Sequence, residues 1–335
     1  MRGIDTYAAL IIGFGLMVSG AGAAPTPDAT APTEAVAKAP KRPIEAADYG
    51  RFERLGSATM SPDGRWFAYT VSRVDDEDEL RLHHLATSAD ETIKYGERPT
   101  FSSDGAWFAY TIGAAPAARE KARESGTPLR NAMGLRNLVT GETSEVKDVG
   151  SFSFSRDGRW LVIRKSGDGG GSTIILRDLG NDVDTTFGNV GTWAWADDDS
   201  LLAMIIDAPE KSGNGVQLFD PATRVLRTLD SEDATYRALT WREDATDLAV
   251  LREIAYEKDE DVSHVVLTWR DLAGGQAQAS TFDPREHETD APPAFRIVDY
   301  AGITWADDGD GVFFGMKAWE HMPKALEAKA EAEAE

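Results

Sequence analysis

The feature that most constrains this sequence is a short pattern that occurs six times between residues 60 and 315. Each copy has an aromatic residue or Met, two further residues, an Asp, a turn, and a run of mostly apolar residues. Successive copies are 41, 53, 41, 46 and 64 residues apart. A period of this size is typical of one four-stranded β-propeller blade. The anchoring residues are Asp63, Asp104, Asp157, Asp198, Asp244 and Asp308.

The turn chemistry of the pattern predicts a strand on each side of the anchor. Four of the six copies have an Asp-Gly pair, which supplies the positive φ angles of a tight hairpin turn. Further candidate strands lie between the copies, at residues 80–85, 135–138, 174–179, 216–219 and 265–272. The sequence therefore predicts an all-β fold, a β-propeller of four-stranded blades over residues 45–316, with at least six repeats. Neighbouring blades must stack to bury their apolar faces.

The first 23 residues have the features of an export signal. Arg2 gives a positive start, residues 7–18 are almost uninterruptedly apolar, and Ala-Gly-Ala at 21–23 suits signal peptidase, which predicts cleavage before Ala24. The apolar run is shorter than the roughly 20 residues that span a bilayer. The sequence has no Cys to carry a lipid anchor. We expect a periplasmic or secreted protein without a membrane partner.

Three segments fall outside the repeat pattern. Residues 24–44 are rich in Pro, Ala and Thr and predict an extended linker. Residues 114–133 lengthen the second interval with charged, helix-favouring sequence, interpreted as an excursion from the propeller. Residues 317–335 consist largely of Ala, Glu and Lys and are interpreted as a charged tail or a truncated insertion. The sixth copy has only its first hairpin before this tail, so we expect an incomplete propeller.

The composition excludes several classes of function. The chain has 35 basic and 57 acidic residues and a formal net charge of −22. Such a surface repels nucleic acid and anionic lipid, so a nucleic-acid partner is not expected. The absence of Cys excludes disulfides, cysteine nucleophiles and thiolate metal sites.

Several stretches of the chain resemble the prolyl oligopeptidase family of serine peptidases, in particular its secreted bacterial members. They are residues 52–55 leading into 60–69, residues 135–142, residues 264–272, and residues 296–300 leading to 305–309. The resemblance implies an N-terminal propeller, about seven blades in the intact protein, that covers the active site of a C-terminal α/β-hydrolase domain. In this family the propeller admits peptides and excludes folded proteins, and the catalytic Ser, Asp and His lie in the hydrolase domain.

The residues offer no catalytic, cofactor-binding or metal site of their own. The sequence has no Gly-x-Ser-x-Gly elbow, and its nearest Gly-Ser clusters, at 169–172 and 18–20, are interpreted as a loop and part of the signal. No histidines show the i, i+4 spacing of a helical zinc site. The acidic runs at 75–79, 197–199 and 307–310 lack the spacing of a calcium loop and are interpreted as solvated turns. The histidines are His83, His84, His264, His287 and His321.

Two functions from different classes remain open at this point. The first is a substrate-gating propeller of a prolyl oligopeptidase-like peptidase, with peptide substrates, in which this chain has no catalytic site. The second is a stand-alone periplasmic propeller of TolB type that binds a protein partner. The sequence does not fix the peptide specificity, exo- or endopeptidase action, the blade number or the oligomeric state. The recurring tryptophans are interpreted in both cases as packing residues between blades.

Overall fold

A computed structural model describes residues 43–74, 76–167, 171–255, 262–274, 277–287 and 295–319. The predicted export signal at 1–23, nearly all of the linker at 24–44, and most of the tail, including His321, lie outside the described residues. All regular elements lie in the unit Ala46–Glu335. In the unit Met1–Glu45 only residues 43–45 are described, and they form no regular element.

The described part of the chain is all-β, with twenty antiparallel strands and one α-helix. A 3-10 helix, Ala46–Arg51, precedes the strands. We number the repeating units 1 to 6 by their copy of the turn pattern. Repeat 1 is a separate four-stranded sheet of β1 (Glu53–Met60), β2 (Trp66–Arg73), β3 (Glu79–His84) and β4 (Ala89–Lys94).

Repeats 2, 3 and 4 form one continuous sheet because two long strands are shared between neighbours. The first half of β8 pairs with β7 and its second half with β9, and β11 joins repeats 3 and 4 in the same way. The ten strands are β5 (Gly96–Phe101), β6 (Trp107–Ile112), β7 (Asn131–Asn137), β8 (Thr143–Phe154), β9 (Trp160–Lys165), β10 (Ser172–Asp178), β11 (Val183–Trp195), β12 (Leu202–Ile206), β13 (Gly215–Asp220) and β14 (Val225–Ser231).

Repeat 5 is again a four-stranded sheet, and repeat 6 has two described strands. Every anchor Asp lies in the hairpin between the first and second strands of its repeat, as the pattern predicts. The remaining strands are β15 (Tyr236–Trp241), β16 (Leu248–Ile254), β17 (Ser263–Arg270), β18 (Gln278–Phe282), β19 (Phe295–Trp305) and β20 (Val312–Ala318).

The apolar core is divided among the junctions between consecutive repeats. Five buried clusters join the six repeats in chain order, one cluster at each junction. Alternate residues of a central strand therefore serve two junctions. In β9, Leu161 and Ile163 pack towards repeat 2, and Trp160 and Val162 pack towards repeat 4. Repeats 2 to 5 are therefore covered on both faces by neighbouring repeats, as stacking of blades requires, and repeats 1 and 6 are each covered on one face.

Two predicted boundaries are corrected by the structure. The segment 114–133 contains the only α-helix among the described residues, α1 (Pro116–Ser125), which has no buried residue. Its last three residues are not part of an excursion, because they begin β7 and Met133 is fully buried. The repeats also extend past 316, because Lys317 and Ala318 pair with β19 in the last strand. No helix in the described ranges is long and apolar enough to cross a membrane.

Candidate functional site

The first strands of the repeats form the inner edge of the array. β1 contacts β5, β11 contacts β15, and β15 contacts β19, so these strands approach one another across the junctions. We call β1, β5, the second halves of β8 and β11, β15 and β19 the inner strands. Side chains of the inner strands that no neighbouring repeat covers are exposed to solvent.

Every inner strand contains an irregularity of strand pairing that changes the direction of its side chains. Each pairs with the second strand of its repeat through a register shift, which is the signature of a β-bulge. Two bulge residues that are not Gly, Arg98 and Ala238, have positive φ. The shifts lie between Leu55 and Ala58, Glu97 and Thr100, Val149 and Ser151, Val190 and Thr192, Arg237 and Thr240, and Val298 and Ile303.

The bulged inner strands expose both cationic and aromatic side chains. Tyr300 is 75% exposed, and Arg54 and Arg98 are exposed and have no side-chain partner among the described residues. Arg237 lies 4.0 Å from Asp299 of the next inner strand. The same strands also carry Glu53, Glu97 and Asp299, so the inner edge has mixed charge within a chain whose net charge is −22.

A partly buried guanidinium adjoins the inner strand of repeat 4. Arg164 lies over the ring of Trp193, with 4.7 Å between its Cζ and the ring centroid, and its Nη2 donates to the carbonyl of Gly191 at 2.5 Å. Its Nε has no hydrogen-bond partner. Burial lowers the pKa of Arg164. This contact holds a cation at the bulge, and no carboxylate among the described residues forms an ion pair with it.

The hairpin turns of repeats 1 to 3 are each stabilised by hydrogen bonds of one Ser and one Asp. In repeat 1, Ser61 Oγ donates to Asp63 Oδ1 at 2.6 Å and accepts from the Trp66 amide at 2.9 Å. Asp63 Oδ1 also accepts from the Arg65 amide at 3.0 Å. The hydrogen bonds from Ser61 and Arg65 lower the pKa of Asp63. Repeats 2 and 3 repeat this geometry with Ser102 and Ser155.

The acidic run at 197–199 connects turns of different repeats. Asp197 accepts from the Arg156 guanidinium at 3.0 Å and from the Asp244 amide at 2.9 Å. Asp199 accepts from the Asp157 amide at 2.7 Å, and burial raises the pKa of Asp199. These carboxylates therefore stabilise the packing of turns, which corrects their interpretation as merely solvated.

The other acidic runs occupy turns or ion pairs. Asp308 accepts from the Asp310 amide at 3.0 Å in the turn of repeat 6. Glu79 pairs with Arg73 at 3.0 Å and with Arg81 at 2.6 Å, and its hydrogen bond to Arg73 lowers its pKa. Asp75 lies outside the described residues. No group of three or more potential metal ligands occurs in the described ranges.

The histidines lie in separate environments. His83 and His84 face opposite sides of β3, as strand geometry predicts: His83 contacts Asp90 at 2.7 Å and His84 packs edge-on against Trp66. His264 is buried, with its Nδ1 3.0 Å from the carbonyl oxygen of Ile297 in repeat 6. His287 stacks on a Phe ring in repeat 5.

The tryptophans of the turn pattern lie at the junctions between repeats. Trp195, Trp241 and Trp305 each contribute to the cluster shared with the preceding repeat. The indole of Trp241 donates to the carbonyl of Ala194 at 3.0 Å, and that of Trp305 to the carbonyl of Thr240 at 3.2 Å. These two indole hydrogen bonds therefore connect β15 to β11 and β19 to β15.

The exposed inner-strand arginines were not predicted from the sequence. The available signal was a Gly or a Pro two to four residues before the aromatic or Met position in five of the six copies, as in Gly150, Gly191 and Pro99. Such residues weaken regular strand pairing and mark bulges. Ser172, from the nearest Gly-Ser cluster, pairs with Val190 at the start of β10; residues 168–170 of that cluster lie outside the described ranges.

Comparison with known proteins gives structural likenesses alone. No family model and no curated protein matches the sequence. The β-propeller domain of the Trilobed protease from Pyrococcus furiosus is similar over 80% of this chain and 79% of that chain, with 14% identity and a TM-score of 0.39.

Two other similar structures come from different classes of protein. An acylaminoacyl peptidase from Pyrococcus horikoshii matches 80% of this chain with 11% identity and a TM-score of 0.36, and the chain spans 43% of its length. TolB from Acinetobacter baumannii matches 68% of this chain and 54% of that chain, with 16% identity and a TM-score of 0.31. At such low identity and TM-score these likenesses carry no argument about function.

Proposed function

We propose that residues 45–318 are the propeller portion of a prolyl oligopeptidase-like serine peptidase and act as the substrate gate of a C-terminal hydrolase domain. The observation that supports the proposal is the inner edge, where four of the bulged strands expose Arg54, Arg98, Arg237 and Tyr300. In this proposal an extended peptide binds along the inner edge of the intact propeller, and a folded protein is kept out.

The resemblance of the turn pattern and of the flanking stretches to that family supports the same proposal. It implies a closed ring of about seven blades in the intact protein and catalytic residues in the hydrolase domain. We also propose that residues 1–23 are removed on export, that residues 24–44 link the signal to the repeats, and that the protein is periplasmic or secreted.

The second candidate is a stand-alone propeller of TolB type that binds a protein partner. The exposed turn end favours it, because Asp63, Asp104 and Asp308 place carboxylates on one end of the repeats, where a basic protein surface could bind. The two candidates differ in one measurable property, which is whether the gene product includes a hydrolase.

The experiment that separates them is hydrolysis of chromogenic prolyl and dipeptide substrates. The chain from Ala24 to Glu335 is assayed beside the product of the same gene extended downstream. The proposal predicts hydrolysis by the extended product alone. Hydrolysis by the shorter chain would mean that these repeats contain a catalytic site, and a stop codon after Glu335 followed by an unrelated gene would favour the binding protein.

A further inference from the structure

A cavity of about 540 Å³ lies at the junction of repeats 2 and 3. Its apolar wall is formed by the half-buried Trp107 and by two buried leucines, Leu135 and Leu179. Charged side chains of both repeats also line it, namely Glu142 of repeat 2 and Arg177 and Asp182 of repeat 3. The cavity therefore combines an apolar wall with a rim that carries charges of both signs.

The cavity lies beside a position of the third strand where two other repeats have an aromatic ring. In each repeat from 2 to 5, one residue of the third strand pairs with the residue four positions after the anchor Asp. In repeats 4 and 5 this residue is Phe219 or Trp269, and its ring packs into the cluster shared with the preceding repeat. In repeat 3 the residue is Arg177. No aromatic side chain of repeat 3 therefore fills this part of the junction with repeat 2.

Repeat 2 also has an arginine at this position, but that arginine connects two repeats. Arg136 pairs with Glu91 of repeat 1 at 2.6 Å. Arg177 instead pairs with Asp184 of its own repeat, with Nε and Nη2 each 2.8 Å from a carboxylate oxygen. Its Nη1 makes no hydrogen bond with any described residue. The pair with Asp184 thus holds the guanidinium beside the cavity and leaves one nitrogen available as a donor.

The rim offers both hydrogen-bond donors and acceptors. The indole nitrogen of Trp107 and the amide nitrogen of Asn137 are donors without a partner among the described residues, whereas Oδ1 of Asn137 accepts from two backbone amides of its turn at 2.9 Å. Glu142 and Asp182 are exposed carboxylates, which only accept. An anionic ligand would meet these two carboxylates, and a cationic ligand would meet Arg177.

A neutral ligand with several hydroxyl groups suits this rim. A hydroxyl both donates and accepts, so one ligand can donate to the carboxylates and accept from the guanidinium, the amide and the indole. A sugar ring also has a face of C–H groups, which packs against the negative face of an aromatic ring. The cavity volume is within the range of small-molecule sites.

We propose that the cavity between repeats 2 and 3 binds a neutral sugar of one or two rings. The C–H face of the sugar packs against Trp107, and its hydroxyls bond to the charged rim. The inference goes beyond the proposed gate and does not depend on it, because none of these residues belongs to an inner strand.

The probes are three disaccharides, maltose, cellobiose and N,N′-diacetylchitobiose, each titrated into the millimolar range. The chain from Ala24 to Glu335 is prepared with nitrogen-15 in its nine tryptophans, and the indole N–H signals are followed by NMR. Loss of one signal in Trp107→Phe identifies the signal of Trp107. The proposal predicts that at least one disaccharide shifts this signal saturably and the other indole signals less.

Three substitutions test the residues of the cavity. Arg177→Phe introduces the residue that repeat 4 has at this position, so the chain should fold while the ring fills the cavity and abolishes binding. Glu142→Gln and Asp182→Asn each replace a carboxylate by an amide of the same size and should weaken binding about fivefold. Glu243→Gln, the same change at an exposed position of repeat 5, is the matched control and should leave binding unchanged. Circular dichroism confirms that each variant is folded.

Several outcomes would overturn the proposal. One is the absence of a shift of the Trp107 signal with all three disaccharides, and another is an undiminished shift in Arg177→Phe. A shift with N-acetyltyrosinamide but with no disaccharide would assign the cavity to an aromatic side chain of a polypeptide. A chain that ends at Trp319 should bind the disaccharides as the full chain does. Binding by this shorter chain alone would mean that the chain's own tail fills the cavity.

Discussion

Ser102 shows how one hydroxyl group fixes the hairpin turn of a repeat. The side chain is fully buried, accepts from the Trp107 amide at 2.9 Å and donates to Asp104 at 2.5 Å. Ser102→Ala leaves a buried amide without its partner, which costs about 1 to 3 kcal/mol of the free energy of unfolding. Urea denaturation measures this loss. Ser103→Ala, at an exposed position of the same turn, is the control and should change stability by less than about 0.5 kcal/mol.

Tyr236 gives the fold a dependence on alkaline pH. Its hydroxyl donates to Asp230 at 2.6 Å, and burial, together with this hydrogen bond, raises the pKa of Tyr236. The unfolded chain ionises this group at about pH 10, before the folded chain does. Its stabilising contribution is therefore complete below pH 10 and is lost as the pH rises towards the folded pKa.

We expect the free energy of unfolding to fall above pH 10 more steeply in the native chain than in Tyr236→Phe, by up to about 1.4 kcal/mol per pH unit. Denaturation between pH 9 and 11 measures the two slopes. Tyr300→Phe, at a position that is 75% exposed, should keep the native slope. Identical slopes in the native chain and Tyr236→Phe would contradict this assignment.

At the level of the residue, the sequence predicted the positions of the hairpin turns better than the hydrogen-bond partners of the turn residues. Asp-Gly pairs require a particular backbone, so the positions of Asp63 and Asp104 followed from local chemistry. The link from Asp197 to Arg156 joins residues of different repeats, and no local pattern encodes such a pairing. The same reason explains why the exposed arginines of the inner strands were not predicted.

At the level of the strand, one glycine makes room for an aromatic ring of the neighbouring strand. On β7, a Cβ added at Gly134 would lie 2.2 Å from the ring of Tyr110, which is buried on β6. Gly134→Ala should therefore displace the ring and cost about 1 to 3 kcal/mol of unfolding free energy. Gly167→Ala meets no atom within 4 Å and is the control. Urea denaturation of both variants measures the difference in free energy of unfolding. Equal values would mean that the Tyr110 ring moves aside without loss of stability, which would contradict this account.

Strand existence was predictable, but strand length was not. The alternation of apolar residues at 174–179 and 216–219 correctly indicated strands, which the structure places at β10 and β13. The shared strands β8 and β11 were not predicted, because each is divided by a bulge whose position depends on pairing with two different repeats.

At the level of the whole molecule, we expect the free energy of folding to come chiefly from the apolar clusters between consecutive repeats. Leu218 is fully buried in the cluster that repeats 4 and 5 share. Leu218→Ala should cost about 2 to 5 kcal/mol and lower the unfolding midpoint of the whole array, because each repeat depends on its neighbours. Val225→Ala, at a half-exposed position of the same repeat, is the control. Loss of repeat 4 alone, seen as a separate transition, would contradict this cooperativity.

The repeat architecture was the most predictable level, because one pattern of about ten residues recurs with a nearly constant turn. Function was the least predictable, because the packing of the repeats does not encode the proposed gating of a hydrolase domain.

The measurement that tests the gate most directly uses the enzyme extended downstream, with and without residues 45–318. Both forms are given prolyl peptides of increasing length and a folded protein with the same bond in a surface loop. Hydrolysis of the shortest peptide by both forms shows that the hydrolase is folded. The proposal predicts that only the shortened form cleaves the folded protein. For each form, the rate on the folded protein is divided by the rate on the shortest peptide. Equal ratios for the two forms would contradict a gating role for these repeats.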